Sequence, residues 1–252
     1  MRLMLPTREV ACRAIVFDKD GTLIDFLGGD LALDRTRAAA MAEVAGERAA
    51  LAWQEAVGLD LARGWLDRDG PLSLAPRRDE LLVAAAVLYR LGHPWHRARA
   101  LALAAYDRAD EMSEPPYGAE LLPGIAEALA QLRRRGLLLA IATTDRTPRT
   151  EISLAMLGIA GHFATIVGAD DVANPKPAPD MVHLACERMG CLPGETVVVG
   201  DSPVDLEMGR AASAAATIGV TTGLNGAERL RPLADVVLPS ASSLPDLLLP
   251  DA

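Results

Sequence analysis

Ala14-Ile15-Val16-Phe17-Asp18-Lys19-Asp20-Gly21-Thr22-Leu23 is the stretch that decides the fold. Four apolar residues bounded by Arg13 and Asp18 read as a short strand buried on both faces of an α/β sheet. Two carboxylates follow at once, two positions apart. In a strand-like backbone residues i and i+2 point the same way, so Asp18 and Asp20 can address a common group with Lys19 turned aside. Gly21 then permits a tight turn. Taken alone, the segment reads equally well as an Asx-turn closing a strand.

Working outward, the same apolar signature recurs at Leu137 to Ala142, Ala164 to Val167, Thr196 to Val199, Ala216 to Val220 and Val236 to Leu238. Helical patterns fill Ile125 to Arg135, Thr150 to Leu157, Pro179 to Met189 and Val204 to Ala212. Strand and helix in alternation imply right-handed crossovers and a Rossmann-like parallel sheet between helices, with ligands at the carboxyl ends of the strands. From about Asp25 to Tyr117 the rhythm breaks. That stretch is rich in Ala, Leu, Arg and Glu and poor in β-branched residues, so it reads as a helical insert with main helices over Arg37 to Val57, Asp79 to Leu91 and Trp95 to Glu111. Asp67 to Pro76 is the loop between them, and Glu114-Pro115-Pro116 with Leu122-Pro123-Gly124 mark the return to the sheet. Segments near Ile24 to Leu27 and Tyr117 to Pro123 are the expected hinges.

Composition narrows the function. The chain of 252 residues carries a formal charge of -9, which repels a nucleic-acid backbone, and no basic, aromatic stripe offsets it. No apolar run is long enough to span a membrane, and Met1 to Val10 lacks the pattern of a secretory signal. Cys12, Cys186 and Cys191 form neither a CxxC pair nor a pattern with histidines, which fits a reducing cytoplasm better than a disulfide or zinc framework. His93, His96, His162 and His183 have no metal-ligand spacing and read as structural. Of the 25 basic residues only Lys19 and Lys176 are lysines; arginines of the insert read mostly as solvated helix faces.

Three further polar sites follow strands in the order that phosphoryl transfer needs: Thr143-Thr144, then Lys176 within Asn174-Pro175-Lys176-Pro177-Ala178-Pro179-Asp180, then Gly200-Asp201-Ser202-Pro203-Val204-Asp205. With the Asp18 motif, this set resembles the haloacid dehalogenase (HAD) superfamily over nearly the whole chain outside the insert. The resemblance implies a catalytic core at residues 1–24 and 118–252 and an α-helical cap domain at 25–117, phosphoglycolate phosphatase-like in type. It also implies a Mg²⁺-dependent phosphatase in which Asp18 is the nucleophile and forms an aspartyl-phosphate. Asp20 would be the acid and base, Thr143, the Thr144 amide and Lys176 would hold the phosphoryl group, and the carboxylates of Asp18 and Asp201 with the carbonyl of Asp20 would hold the ion. Many relatives have asparagine at the position of Thr144, which puts any side-chain role there in doubt. Asp205 would orient metal waters or Lys176, or else simply cap the helix starting near Val204. Asp145, Asp170 and Asp171 read as loop and cap residues.

The implied partner is a small phosphate ester, such as a sugar phosphate or a phosphoglycolate-like acid, with the loop around Asp67 to Arg78 as the specificity element. Asp20 argues against a haloacid dehalogenase, which needs no leaving-group acid, and the lysine-free insert argues against a Schiff-base phosphonate cleaver. A phosphomutase shares every core motif and stays open as the alternative, as does a non-catalytic binding protein.

Overall fold

The computed structural model describes residues 1–25, 31–113 and 120–249. It divides into two compact units, Met1–Gly28 with Ala119–Ala252, and Gly29–Gly118. The Glu114-Pro115-Pro116 punctuation and parts of both expected hinges lie outside the described residues. No helix among the described residues is long and apolar enough to cross a membrane.

The first unit is built on a six-stranded parallel sheet: β1 (Ala14–Phe17), β2 (Leu138–Ala142), β3 (Thr165–Val167), β4 (Thr196–Gly200), β5 (Ala216–Val220) and β6 (Val236–Leu238). The runs of β1, β2, β4 and β5 become strands because Val, Ile and Ala stretches of four or five residues can be buried on both faces, whereas the edge strands β3 and β6 are three residues long and partly buried. The order is β6-β5-β4-β1-β2-β3. Succession runs outward from β1 on one side and restarts at β4 on the other, so the direction of winding reverses between β1 and β4, where such sheets open a ligand crevice. Helices α1 (Ile125–Arg134), α2 (Thr147–Met156), α3 (Asp180–Met189) and α4 (Pro203–Ala211) make the crossovers.

The pleat sorts the core into two layers. Ile15, Phe17, Leu139, Ile141, Val197 and Val199 pack with Ile125, Leu129 and Leu132 of α1. Ala14, Val16, Ala140, Ala142 and Val198 pack with Met181, Val182 and Ala185 of α3 and Met208 of α4. Burying each large aliphatic side chain contributes about 1.5–3 kcal/mol, and a one-residue slip would exchange the two layers. Packing therefore fixes the register, with Phe17 beside both Val199 and Ile141, and so fixes where the residues just beyond these strands emerge. A short hairpin, Arg2–Met4 with Glu9–Ala11, precedes β1. It is not anticipated from the sequence, because each arm is three residues long and places one residue, Leu3 or Val10, in the core.

The second unit is helical, with Ala32–Ala45, Glu47–Val57, Arg77–Arg90 and Trp95–Met112 as its long helices. The expected single helix over Arg37 to Val57 is two. Gly46 sits between them at φ 91°, a conformation that costs glycine little and other residues much, and its amide closes the first helix on the Ala42 carbonyl at 2.8 Å. The expected loop Asp67 to Pro76 contains a helical turn, Pro71–Leu74, and follows an antiparallel pair, Leu59–Asp60 with Trp65–Leu66. Trp53 and Tyr106 anchor this core edge to face, with the indole N–H donating to the Tyr106 hydroxyl at 3.2 Å. Arg37 and Arg77 lie over the Tyr106 ring at 5.4 and 5.2 Å and pair with Glu80 and Asp110 respectively. These two arginines are thus packed inside the unit and not solvated, because a guanidinium can stack on an aromatic face while its edge donates to carboxylates.

Candidate active site

The sequence-derived polar positions of the core fall at the carboxyl ends of β1, β2 and β4, in the segment leading to α3 and, for Asp205, in the first turn of α4. Asp18 leaves β1 with its amide still donating to the Val199 carbonyl at 2.9 Å, which continues the ladder by one residue and fixes the start of its side chain. Thr143 leaves β2 in the same way, its amide donating to Val167 at 3.0 Å. Asp201 follows β4, and Lys176 comes from the proline-flanked segment before α3.

The centre is a chain of charges taken out of water. The Lys176 ammonium donates to Asp18 Oδ1 at 2.6 Å and to Asp205 Oδ1 at 2.6 Å, and its side chain is 1% exposed. The carboxylates of Asp18, Asp201 and Asp205 offer oxygens that all lie within 4.8 Å of one another. Asp205 contacts both the start of α4 and Lys176. Its Oδ2 accepts from the Ser202 amide at 3.1 Å and the Ser202 hydroxyl at 2.6 Å, capping α4, while Oδ1 orients Lys176. Asp201 Oδ2 accepts from the Leu224 amide at 3.1 Å. Among the described residues Asp18 Oδ2 and Asp201 Oδ1 carry no hydrogen bond.

Three carboxylates and one ammonium leave an excess of negative charge in a buried space. Burial, then repulsion from Asp205 and Asp20, pushes the Asp18 carboxyl up to about 7 although Lys176 pulls the other way. Burial and the charges of Asp18 and Asp205 likewise hold Asp201 well above the ordinary carboxylate range. Lys176 is displaced upward, because its two carboxylate partners outweigh the burial that disfavours its charge. Such a cluster reaches electrostatic balance by taking up protons or a further cation. Hard carboxylate oxygens at this spacing, two of them not engaged by hydrogen bonds, suit a small divalent ion.

The geometry departs from the sequence reading around Lys19. Its side chain is not simply turned aside. It is 7% exposed, and the ammonium reaches Asp20 Oδ2 at 2.9 Å and Asp145 Oδ2 at 3.4 Å. Asp145 also donates its amide to Thr143 Oγ1 at 3.1 Å and accepts from the Arg146 amide at 2.8 Å, so it is the loop residue expected and a partner of Lys19 besides. Asp170 and Asp171 tie the β3 loop to the Thr147 amide and hydroxyl, as loop residues do. Thr144 is half-buried beside Thr143.

Sequence reasoning passed over Gly223. A methyl group there would lie 1.9 Å from Asp201 Oδ2, so only a glycine lets that chain segment close against the carboxylate. Gly21, at φ 80°, lies against the same carboxylate and against Gly223, and is locked by its amide to Ile24 and its carbonyl to the Thr222 hydroxyl. The Gly223 signal was a Thr-Thr-Gly just past β5, which has no meaning without the sheet order that brings it beside β4.

A parallel α/β sheet with a lysine-bridged acidic cluster at its switch point defines a class of hydrolase, and the chain matches the family of haloacid dehalogenase-like hydrolases over residues 12–213. It belongs to that family. Its relatives include the phosphoglycolate phosphatase of Escherichia coli (strain K12), 32% identical over 228 residues that cover 86% of this chain and 84% of that one. The probable phosphatase IndB of Dickeya dadantii is 31% identical over 217 residues, covering 86% and 84%. Among solved structures, a predicted phosphoglycolate phosphatase from Haemophilus somnus superposes with a TM-score of 0.63 at 21% identity, covering 92% and 96% of the two chains. A hydrolase from Pseudomonas syringae gives 0.64 at 23%, covering 93% and 96%. At these identities the two structures speak to the fold alone.

Proposed function

We propose that this hydrolase is a Mg²⁺-dependent phosphatase that cleaves a small phosphate monoester, of phosphoglycolate or sugar-phosphate type, through a phosphorylated Asp18. The observation that carries the reading is the buried Asp18–Lys176–Asp205 chain with Asp201 beside it. The substrate class draws support from the phosphatases among the relatives. The division into two compact units supports a catalytic core of residues 1–24 and 118–252 carrying a helical cap of 25–117.

Asp18 and Asp201, with the carbonyl of Asp20, are the groups proposed to hold the ion, whose chemistry is to neutralise phosphate charge so that an anionic nucleophile can approach. The residues do the rest. An Asp18 oxygen forms a bond to phosphorus as the ester oxygen leaves with the bonding pair and takes a proton from Asp20. Water then attacks the same phosphorus, Asp20 removes its proton, and the Asp18–phosphorus bond breaks to release inorganic phosphate and restore the carboxylate. Thr143, the amide of Thr144 and Lys176 hold the phosphoryl oxygens through both halves, and Asp205 keeps Lys176 in place.

The test is phosphate release from a panel of small esters, with magnesium and with chelator, Asp18→Asn serving as the blank. Turnover that needs magnesium and drops by roughly 10³-fold or more in the variant is expected of a lost nucleophile. Wild-type protein that releases phosphate from no ester would refute the proposal.

A further inference from the structure

We infer that Lys19 is a positioning residue for Asp20: its ammonium pins Asp20 Oδ2, anchored in turn on Asp145, so that Oδ1 is the oxygen that exchanges the proton with the leaving group and then with water. The inference rests on the role proposed above for Asp20.

Three observations carry it. First, the turn does not need the lysine side chain to hold its backbone. The Lys19 carbonyl accepts from the amides of Leu23 at 2.9 Å and Ile24 at 3.1 Å, the Gly21 amide donates to Ile24 at 2.8 Å and the Thr222 hydroxyl donates to the Gly21 carbonyl at 2.6 Å, so these bonds close residues 19–24 without the Lys19 side chain. Second, burying an ammonium is expensive unless carboxylates surround it. Lys19 is buried with two of them, and Asp20 is the more exposed, at 34% of its side chain against 24% for Asp145. A carboxyl that open to its surroundings has torsional freedom, and the 2.9 Å pair removes it. Third, Asp145 is not a loose anchor. Its amide holds the hydroxyl of Thr143, its Oδ1 accepts from Arg146, and its Oδ2 also meets Arg149 Nε at 3.5 Å. Lys19 therefore joins the loop after β1, which carries the acid and base, to the loop after β2, which carries Thr143.

A positioned acid matters in proportion to how badly the leaving group needs a proton. In kcat/KM, which reports steps up to transfer of phosphorus onto Asp18, an alkyl ester must have its alkoxide protonated, whereas p-nitrophenyl phosphate expels a phenolate that leaves unprotonated. A lysine that merely props up the fold would affect both alike. Lys19→Met should lower kcat/KM on the best alkyl phosphate by about 30-fold or more and on p-nitrophenyl phosphate by less than about threefold, within the range that a general acid contributes. Because Lys19→Met leaves two carboxylates without their ammonium, Asp145→Asn is the companion that spares Asp20. It keeps an Oδ1 for the Arg146 amide, takes the charge from the oxygen that meets Lys19 and Arg149, and should show the same selectivity at about a third of its size or less, with the double variant no worse than Lys19→Met. Equal losses on the two esters, or no loss on either, overturn the positioning role while the phosphatase reading stands. A wild type that releases no phosphate overturns both.

Discussion

Removing the ammonium from the central cluster is the sharpest test of its electrostatics. Lys176→Met has nearly the volume of the lysine but no charge, and at 1% exposure no water can take the ammonium's place. Asp18, Asp201 and Asp205 then face one another within 4.8 Å. Breaking a buried pair by deleting one partner costs about 3–5 kcal/mol. In metal-free protein the cheapest relief is to protonate a carboxyl whose ordinary value is 3.8. Asp18 already lies near 7 in the folded wild type, so at about 1.4 kcal/mol per pH unit protonating it there costs under about 1 kcal/mol at pH 7.5 and nothing at pH 5.5. The stability lost should therefore be about 3–5 kcal/mol at pH 7.5 and smaller, by up to about 1 kcal/mol, at pH 5.5.

The sign follows from proton linkage. Asp18 in the folded wild type already lies near 7, above its unfolded value, so the folded state binds the extra proton and gains stability as pH falls from about 7 toward 3.8. Without Lys176 that folded value moves further up and the gain is larger, so the gap between variant and wild type narrows on acidification. The assay is urea unfolding in chelator at the two pH values, followed by far-ultraviolet circular dichroism and by hydrogen exchange at the amides of β1 and β4. Tryptophan fluorescence would mislead, since Trp53, Trp65 and Trp95 all belong to the helical unit. A loss below about 1 kcal/mol at pH 7.5, or a gap of the same size at both pH values, refutes the reasoning.

Gly223→Ala should raise the magnesium concentration for half-maximal activity by about 10- to 100-fold, because a methyl carbon 1.9 Å from Asp201 Oδ2 must push that carboxylate aside by about 1 Å; an unchanged magnesium titration would sink this account of the glycine. Asp235 is drawn upward by burial, but the Thr217 amide at 2.8 Å and the Arg8 guanidinium at 3.1 Å outweigh it and hold the carboxyl below its ordinary value. Its contribution is thus present above pH 3.8 and lost as pH falls through the lowered folded value. Asp235→Asn should cost about 1–2 kcal/mol at pH 7 and next to nothing near pH 2 in chemical denaturation, and a gap that persists at low pH would contradict it.

The sheet was legible in the sequence because strands buried on both faces have to be short apolar runs, and Thr-Val-Val-Val or Ala-Ile-Val-Phe allows few other readings. Asp18, Thr143 and Asp201 were legible for the same reason, as the first two stand directly after such a run and Asp201 one glycine beyond it. What stayed hidden depends on sheet order or on side-chain reach. Gly223 follows β5 but acts against a residue following β4, and no local pattern encodes that neighbourhood. Lys19 was set aside by strand alternation, yet β1 ends at Phe17, and a four-carbon side chain on a turn can bend back to its neighbour at 2.9 Å. In the insert, an alanine-rich helical pattern ran straight through Gly46, because propensity is a weak signal beside one residue able to adopt a positive φ.

The two lysines divide the site's labour along the strand order. β1 has β4 on one side and β2 on the other. Toward β4, Asp18 meets Lys176, Asp201 and Asp205, groups buried well enough that their charges act at short range through little water. Toward β2, Lys19 joins Asp20 to Asp145 at the more open margin, which suits the proton-trading role proposed for Asp20. Asp205 explains why the first side can be rigid without a dedicated scaffold. One of its oxygens closes the first turn of α4 and the other directs Lys176, so tilting the lysine away would also uncap a helix packed on the sheet. On the function proposed above, the nucleophile's electrostatic partner is thereby fixed by the same contacts that hold the core together, while the proton-handling carboxyl is pinned by Lys19 at a margin that stays open to water.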